Sequence, residues 1–538
     1  MPPSPALRGT FRTDLPARAA YAEGAGIYRI LPSAIAVPAD VPDLVRLVEW
    51  AGAEGASLVP RGAGSGMAGG NVGDGIVVDL TRIGGGSVAI DPIRRVARAA
   101  AGATHLALNR AAGDHGLRLP PDPSSGRFAT LGGMLSTNAA GARTVRYGSV
   151  RRWVQAAEVV TADGDVVRLE RGAPSADARA VRRFLADAAP AIRAAAPAVA
   201  GAMPKTRKNS SGYAIDAWLG SDDLVDLLIG AEGTLGFVTA TEWRLDRHPA
   251  ATAALRVSLA SLDELAAAVE ALLAHEPSAV ELLDRTFLEL VQGRAAGPGA
   301  VEAVLLVELE SSDAGAMAAA VRAAAADVAP FATSVETALS PAEADRLWAL
   351  RHAASPILAG LPESRRSLQV IEDGCVPLPH LGEYVRELRG AARERGIEIV
   401  LFGHAGDGHL HCNLLPDVTR AGWESEVAAL LAEMTAVVTS LGGTPSGEHG
   451  DGRLRAPYLE QVFGRDVVAL FGLVKAAFDP RGILNPGVKL GSAPAVDRLK
   501  VGARAVPLPP PIAAALRELE RAAAYDTPRL ELLDTPVP

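Results

Sequence analysis

Two glycine-framed segments in the C-terminal half carry histidines and carboxylates at close spacing. They are Phe402-Gly-His-Ala-Gly-Asp-Gly-His-Leu-His-Cys-Asn413 and Ser446-Gly-Glu-His-Gly-Asp-Gly452. A single histidine in such a segment is more often a hydrogen-bonded core residue than a metal ligand. Two imidazoles joined by a carboxylate, however, form a donor set for a divalent ion that leaves coordination positions open for a substrate. The two segments together therefore favour a metal centre.

A β-hairpin is the element that we expect to position the first segment. The apolar run 397–402 predicts a strand, and the Gly-Asp-Gly sequence after it predicts a turn. Folding back at this turn brings His404 beside His411. Strand alternation then places His409 and Asn413 on the same face as His411.

The glycine-rich loop 61–70 is the clearest cofactor signal in the N-terminal half. Gly64-Ser-Gly-Met-Ala-Gly69 fits the dinucleotide pattern G-x-G-x-x-G, but that pattern carries weight only where a helix begins at the loop. Here the β-branched run 75–80 predicts a strand instead, which excludes a Rossmann fold. A glycine-rich loop between two strands can still present successive N–H groups to an anion, with an ordinary flexible loop as the alternative.

Two further small-residue tracts accompany this loop. With VPRGAGSGMAGG (59–70), PPDPSSGRFATLGGMLSTNAAGARTVRYGS (120–149) and GAEGTLG (230–236), the chain resembles the FAD-binding proteins of the vanillyl-alcohol-oxidase type. Their PCMH-type domain holds FAD without a Rossmann fold. The resemblance covers nearly the whole chain. It implies an α+β fold, with a two-subdomain FAD-binding domain and an α/β cap domain that contains an antiparallel sheet.

The same resemblance implies which residues border the cofactor. The FAD pyrophosphate would lie along Arg61, Gly62, Ala63, Gly64, Ser65, Gly66, Gly69 and Gly70. The pyrophosphate and the ring would be bordered by Asp122, Ser124, Thr130, Gly132, Gly133, Asn138 and Gly141. The adenosine part would lie near Gly233, Thr234 and Gly236. Many members tether the flavin covalently, but 61–70 and 120–141 contain neither histidine nor cysteine, so we expect noncovalent FAD.

The two histidine segments resemble the metal-dependent D-2-hydroxy-acid dehydrogenase branch of this family, whose members act on D-lactate, D-2-hydroxyglutarate or glycolate. The resemblance implies that His404, His411 and Glu448 bind zinc or a similar divalent ion. It also implies that His449 is the base and that Asn413 touches the substrate.

Two other segments resemble functional parts of the family. Leu347-Trp-Ala-Leu-Arg351 resembles the segment whose arginine grips the substrate carboxylate, and a surface ion pair on a helix is the alternative. In Phe478-Asp-Pro-Arg-Gly-Ile-Leu-Asn-Pro-Gly-Val-Lys489, which resembles the closing motif, Asn485 would approach the flavin ring, and a simple turn is the alternative. Lys205 to Tyr213 also echoes a family segment near the active site, but a basic solvated loop explains it equally well.

The route of the electrons is a further expectation. The chain is similar to the flavin half of larger bacterial enzymes that continue into an iron–sulfur domain. Cys375 and Cys412 are its only cysteines, too few for an iron–sulfur cluster. We therefore expect a separate acceptor: a quinone, an electron-transfer flavoprotein or a cytochrome. One departure is Ile371, which stands where some 2-hydroxyglutarate enzymes carry a lysine.

The expected reaction is FAD-dependent oxidation of a D-2-hydroxy acid to the 2-oxo acid, by hydride transfer to flavin N5 with metal-assisted deprotonation of the hydroxyl. Three alternatives remain: a flavin-linked oxidase of a non-acid alcohol, a noncatalytic flavin subunit of a larger complex, and a flavin-free metallohydrolase. A substrate screen, turnover with an artificial acceptor and the flavin absorbance would separate them.

Length, composition and charge indicate the class of protein and exclude some partners. A chain of 538 residues predicts two to four packed units, and 49% hydrophobic and 21% charged residues are typical of globular proteins. A net charge of -9 without a long basic run argues against a nucleic-acid partner. With no apolar run of membrane-spanning length, we expect a cytoplasmic protein, peripheral to the membrane at most through its acceptor; a homodimer is compatible with the sequence.

Helical and strand patterns divide the chain into four expected parts. Helix 41–55 with Asp40 as N-cap, strands 57–60 and 75–80, and a hairpin over 153–169 belong to the first part. A β-α-β texture follows, with strands 254–259 and 301–310 and helices 262–275 and 314–328. We therefore expect an FAD-binding domain at 1–248, a cap domain with the metal site at 249–455, a segment returning to the FAD domain at 456–490, and a proline-containing tail at 491–538 that wraps the protein or is partly disordered.

Overall fold

A computed structural model describes residues 4–293 and 301–533. It shows a mixed helix and sheet architecture with an antiparallel sheet in the second half, as the sequence predicts. The last residues of the tail, 534–538, lie outside the described residues, and the four domain bounds stay a prediction. Within 4–293 and 301–533, no helix has the length and apolar character needed to cross a membrane.

Local signals explain why the first helix lies where it does. Helix Val41–Glu54 begins at Asp40, whose side chain accepts a hydrogen bond from the Asp43 amide, and it ends at Gly55 with φ +66°. The buried face carries Leu44, Leu47 and Val48, and this spacing is the apolar period that predicts the helix.

Two main sheets form the first half of the molecule. A mixed sheet, in which the last three strands are parallel, has the order Thr10–Arg12, Ala34–Val37, Ile76–Asp79 and Leu58–Arg61. An antiparallel sheet has the order Val88–Asp91, Val96–Ala100, Phe237–Arg244, Val154–Val160 and Val166–Glu170. The short strands Leu117–Arg118 and Asp246–Arg247 pair separately. The other helices are Leu15–Ala20, His105–Gly113, Leu131–Thr137, Thr144–Tyr147, Arg179–Arg183, Ala189–Ala194, Ala196–Ala202, Ile215–Ser221 and Val225–Leu228.

The glycine-rich loop connects two strands of the mixed sheet. Strand Leu58–Arg61 enters the loop, strand Ile76–Asp79 leaves it, and residues 62–75 contain no helix. The exclusion of a Rossmann fold is therefore confirmed.

The second half is built on a seven-stranded antiparallel sheet. Its order is Ser334–Ala338, Ala251–Leu259, Ala303–Ser311, Ala279–Asp284, Glu398–His404, His409–Leu415 and Gly374–Cys375. Helices that share one core with the sheet are Leu265–Leu273, Met317–Val328, Leu381–Glu394 and Trp423–Ser440. A smaller core contains residues of Arg285–Gln292, Pro341–His352 and Ala354–Ala359. The predicted strands and helices of this half occur within a few residues of their expected positions.

Two C-terminal elements pack back onto the first half. Helix Leu459–Phe478 buries Phe463 and Phe471 in the core around the antiparallel five-stranded sheet. Helix Pro510–Arg521 packs Ile512 and Leu516 against helix Leu15–Ala20. The tail, as far as it is described, therefore lies against the protein surface.

Candidate active site

The predicted hairpin brings the first histidine segment together. Strands Glu398–His404 and His409–Leu415 pair with Phe402 opposite His411, and Gly408 adopts φ +70° in the turn between them. A Cβ on Gly408 would lie 2.1 Å from the Val376 carbonyl oxygen, so glycine is required there on both counts. Leu410 faces the apolar core, whereas the histidines face a polar cluster.

Three expected ligands converge from positions far apart in the chain. His404 Nε2 lies 3.2 Å from His411 Nε2, and Glu448 Oε1 lies 3.3 Å from the first and 3.5 Å from the second. All three side chains are buried. Their donor atoms thus share a point that one cation could occupy.

The other nitrogen of each ring is held by the protein. His404 Nδ1 donates to the Glu281 carboxylate, and His411 Nδ1 donates to the Glu372 carbonyl oxygen at 2.8 Å. Both Nε2 atoms therefore turn towards Glu448, and two neutral rings would oppose lone pairs at 3.2 Å unless a proton or a cation lay between them. Outer hydrogen bonds of this kind are typical of metal-binding histidines, so the residues fit a divalent ion.

Charge on this cluster is set by burial and by close neighbours. Burial lowers the pKa of His404, but the Glu281 carboxylate outweighs it and raises the pKa to about 9. Burial raises the pKa of Glu281, yet His404 and Arg351 bring it down to about 2. Burial and the neighbouring His409 and His404 hold the pKa of His411 well below its usual value. A cation would therefore compete with a proton at His404 and meet a neutral ring at His411.

Lys208 lies in the same cluster. For this residue of the segment 205–213, the alternative of a basic solvated loop is wrong, because its side chain is buried. Its side chain is 1% exposed, and Nζ lies 2.9 Å from Glu448 Oε2 and 3.4 Å from Asp407 Oδ2. Burial lowers the pKa of Lys208, but these carboxylates outweigh it and raise the pKa overall. The ammonium also lies 3.5 Å from His409 Nδ1, whose other nitrogen donates to Asp373 at 2.8 Å. Both ring nitrogens of His409 thus contact other protein groups away from Glu448 Oε1, whereas His404 and His411 each turn Nε2 towards that oxygen.

His449 lies beside the cluster, stacked on His411 and hydrogen-bonded to a different carboxylate, Glu372. Its ring stacks on that of His411 with centroids 5.3 Å apart, and Nε2 is 3.7 Å from Glu448 Oε1. Nδ1 donates to the Glu372 carboxylate, which also accepts from Arg455 at 2.6 Å. Burial lowers the pKa of His449, but Glu372 and Asp373 outweigh it and raise the pKa to about 10.

Asp373 ties the second histidine segment to the first. Its carboxylate accepts from the amides of Glu448 and His449 at 3.1 and 2.9 Å, and from His409 Nε2 at 2.8 Å. The side chain is fully buried. One carboxylate therefore fixes both histidine segments relative to each other.

Arg351 and Asn413 lie on the wall of the cavity next to the cluster. Arg351 Nε donates to Glu281 Oε2 at 2.8 Å, and its guanidinium carbon lies 4.4 Å from the centroid of the Phe402 ring. The ion pair is thus with the carboxylate that orients His404. Asn413 Oδ1 accepts from Ser367 Oγ at 2.9 Å.

The glycine loops line the same cavity, whose volume is about 900 Å³. A Cβ on Gly62 would lie 2.3 Å from Thr130 Oγ1, and a Cβ on Gly233 would lie 2.2 Å from Pro60 Cγ. Absence of side chains therefore lets three loops close around one space, which fits a large flat cofactor. The expected cofactor residues on its wall are Arg61, Gly62, Ala63, Gly64, Ser65, Gly66, Gly70, Asp122, Ser124, Thr130, Gly132, Gly133, Gly141, Gly233 and Gly236.

Four expected cofactor residues are not brought to the cavity wall: Gly69, Asn138, Thr234 and Asn485. Asn485 is buried and donates to the carbonyl oxygens of Gly70 and Glu232, both at 2.8 Å, so it joins two of the loops. The Arg61 guanidinium donates to the Glu23 carbonyl oxygen at 2.8 Å. The charged end of Arg61 therefore contacts the backbone near Glu23.

Sequence reasoning missed Glu281, Glu372 and Asp373. Glu281 lies in strand Ala279–Asp284, directly opposite His404, and nothing in its local sequence distinguishes it from an ordinary strand residue. Glu372 and Asp373 directly follow Ile371, the position compared above with the lysine of some 2-hydroxyglutarate enzymes, and that comparison was the available signal.

Two family models match the chain. One, described as FAD binding domain, matches residues 32–170, and the other, described as FAD linked oxidases, C-terminal domain, matches residues 248–488. The glycolate oxidase subunit GlcD of Bacillus subtilis is 31% identical over 465 residues, which cover 86% of this chain and 89% of that protein. D-lactate dehydrogenase of Archaeoglobus fulgidus is 31% identical over 456 residues, covering 84% and 89%. D-2-hydroxyglutarate dehydrogenase of Pseudomonas putida is 30% identical over 521 residues, covering 90% of this chain and 51% of that protein, so the chain spans about half of it.

Solved structures show the same fold at lower identity. The 4-ethylphenol oxidase from Gulosibacter chungangensis, in its isoeugenol complex, matches with a TM-score of 0.65 at 16% identity, over 90% of this chain and 94% of that one. An alkyldihydroxyacetonephosphate synthase matches with a TM-score of 0.61 at 16% identity, over 88% and 83%. With the family models and the relatives, the chain belongs to the FAD-linked oxidases and is an FAD-dependent oxidoreductase of hydroxy acids.

Proposed function

We propose that the protein is a dehydrogenase of D-2-hydroxy acids, with D-lactate, D-2-hydroxyglutarate and glycolate as the candidate substrates. One observation carries the proposal: His404, His411 and Glu448 line the same cavity as the glycine loops. A donor set suited to a divalent cation and the loops of an FAD-binding domain therefore share one space.

In this proposal, His404, His411 and Glu448 hold the divalent ion, with zinc as the candidate, and the glycine loops hold FAD noncovalently. When bound, FAD would supply the acceptor for the C2 hydride, at N5, and the ion would supply the positive charge that lowers the pKa of the substrate hydroxyl. Glu281 and the Glu372 carbonyl oxygen keep the two imidazoles oriented, since each accepts from the Nδ1 of its ring.

His449 is the proposed base. Its Nδ1 proton is held by Glu372, so Nε2 is the atom that takes the proton of the hydroxyl. The base must be neutral, although Glu372 and Asp373 raise the pKa of His449 to about 10. Glu448 Oε1 lies 3.7 Å from His449 Nε2, so a divalent ion bound to Glu448 would lower that pKa.

Arg351 and Asn413 are the proposed substrate-positioning residues. In the described part of the chain, the hydrogen bond of Arg351 uses Nε alone, which leaves its terminal nitrogens for a carboxylate. Asn413 has its carbonyl oxygen engaged by Ser367, so its amide nitrogen is the group offered to the substrate. We further propose that electrons leave FAD for a separate quinone, electron-transfer flavoprotein or cytochrome.

Anaerobic reduction of the bound flavin by achiral glycolate and by a panel of D- and L-2-hydroxy acids tests the function. We expect bleaching by glycolate or by at least one D-isomer, loss of this bleaching after chelation, and its return when zinc, manganese or iron(II) is added. Glu448→Ala should lower kcat by about 10²-fold or more. The variant should still bind FAD, because Glu448 lies outside the glycine loops. Bleaching that survives complete metal removal would refute the proposed role of the cluster.

A further inference from the structure

The C-terminal segment 491–533 joins the two halves of the molecule beside the cavity. Both matched family regions, 32–170 and 248–488, end before it. On the FAD-binding side, Tyr28 donates from its hydroxyl to the Ala495 carbonyl oxygen at 2.5 Å, and Tyr525 packs on Phe128 with ring centroids 5.2 Å apart. The segment thus lies outside both matched regions and is held against this half by a hydrogen bond and a ring contact.

The same segment is fastened to the second half by ion pairs. Glu520 accepts from Arg366 of the second half, and within the segment it also accepts from Lys500 Nζ at 2.9 Å. Arg517 Nη1 donates to Glu363 Oε1 at 2.8 Å. Arg366 directly precedes Ser367, the residue whose hydroxyl donates to Asn413. The segment therefore reaches the substrate side of the cavity.

Two arginines of this segment lie on the cavity wall. Arg517 and Arg521 both line it, as does Arg366. Facing them on the same wall are Glu363 and Glu520, so three positive charges meet two negative ones. Arg517 forms an ion pair with Glu363 at 2.8 Å, whereas Arg521 forms no hydrogen bond or ion pair within residues 4–293 and 301–533. This part of the wall thus carries three guanidinium groups and two carboxylates. Burial raises the pKa of Glu363, but nearby guanidinium groups outweigh it and lower the pKa, and that of Arg521 contributes without a direct ion pair in the described residues.

We propose that Arg521, assisted by Arg517, is a specificity-determining residue that binds the end of the hydroxy acid directed towards the C-terminal segment. Planar guanidinium groups match carboxylates, so this wall favours a substrate with a second carboxylate over one with an apolar end. The inference rests on the proposed function and adds a substrate class to it: dicarboxylic 2-hydroxy acids.

The test compares two substrates in the full-length FAD-loaded enzyme. We expect Arg521→Ala to lower kcat/KM for D-2-hydroxyglutarate about fivefold, mainly through KM, and to leave D-lactate nearly unchanged, because Arg521 is solvent-exposed and its contact is screened. Arg521→Lys should recover part of the loss, and added salt should reduce the difference. Arg94→Ala, an exposed arginine that does not line the cavity, is the matched control.

The outcomes separate the two proposals. If the wild type oxidises none of D-2-hydroxyglutarate, D-lactate and glycolate, the proposed function fails. If the wild type turns over but Arg521→Ala lowers both substrates equally, or neither, the specificity role is refuted. Loss of FAD from the variant, measured by flavin absorbance after gel filtration, would also refute it, because the arginine would then serve the cofactor.

Discussion

Replacing Lys208 by methionine should have opposite effects on the metal-free and the metal-bound protein. Lys208 Nζ lies 2.9 Å from Glu448 and 3.4 Å from Asp407, and all three side chains are at least nine-tenths buried. Removing one partner of a buried ion pair costs about 3–5 kcal/mol, because the remaining charge has no compensation. The metal-free variant should therefore lose about that much free energy of unfolding.

Cation binding to the same variant should become tighter. A positive charge a few ångströms away opposes a divalent ion, and two unit charges 4 Å apart interact by about 4 kcal/mol at an effective dielectric constant of 20. Even a third of this value would tighten binding by about tenfold. Saturating zinc should therefore restore more stability to Lys208→Met than it adds to the wild type.

Urea unfolding with and without zinc measures both effects. Lys489→Met is the matched control, since Lys489 is also fully buried and lies 3.0 Å from Asp451 and 3.3 Å from Glu232. It should lose similar stability without a larger zinc increment. An equal zinc increment in Lys208→Met and the wild type would show that the ammonium does not share a site with the cation.

Two further substitutions test the loops and a buried carboxylate. Gly233→Ala should weaken FAD binding, measured by flavin release, because its Cβ would meet Pro60 Cγ at 2.2 Å; Gly172→Ala, at a similar φ of +69° with open space around it, should retain FAD, and equal losses would contradict the steric argument. Burial raises the pKa of Asp43, but amide donors and Arg46 outweigh it and lower the pKa to about 2, so its contribution is present above pH 4 and is lost as pH falls towards 2. The difference in unfolding free energy between wild type and Asp43→Asn, on the order of 1–2 kcal/mol at pH 7, should therefore shrink between pH 4 and pH 2, and a constant difference would refute this.

The sequence predicts those parts of the molecule that depend on local chemistry. Asp40 as an N-cap, the hairpin between His404 and His411, and the antiparallel strands of the second half all follow from patterns within one element. The gathering of His404, His411 and Glu448 was expected from the family resemblance, and the structure places them together.

What the sequence could not predict depends on contacts between distant segments. Glu281 meets His404 across a strand pair 123 positions apart, and Lys208 meets Glu448 across 240. A lysine among polar residues in the sequence predicts a solvated side chain. Its actual burial depends on distant segments that pack over it, which the local sequence does not show. Arg61 lies on the cavity wall as expected, but the sequence pattern does not predict that its guanidinium donates to the Glu23 carbonyl oxygen.

The turn 405–408 limits how the protein can be altered. Side chains of a strand change face with every residue, so one insertion or deletion in this turn would slide Phe402 off its partner His411 and exchange the polar face for the apolar one. Gly403 leaves no slack either, since a Cβ there would lie 2.4 Å from the His409 carbonyl oxygen. The length of this turn is therefore as constrained as the histidines on the two strands that it connects. Insertions or deletions intended to vary the second half should be placed in other loops.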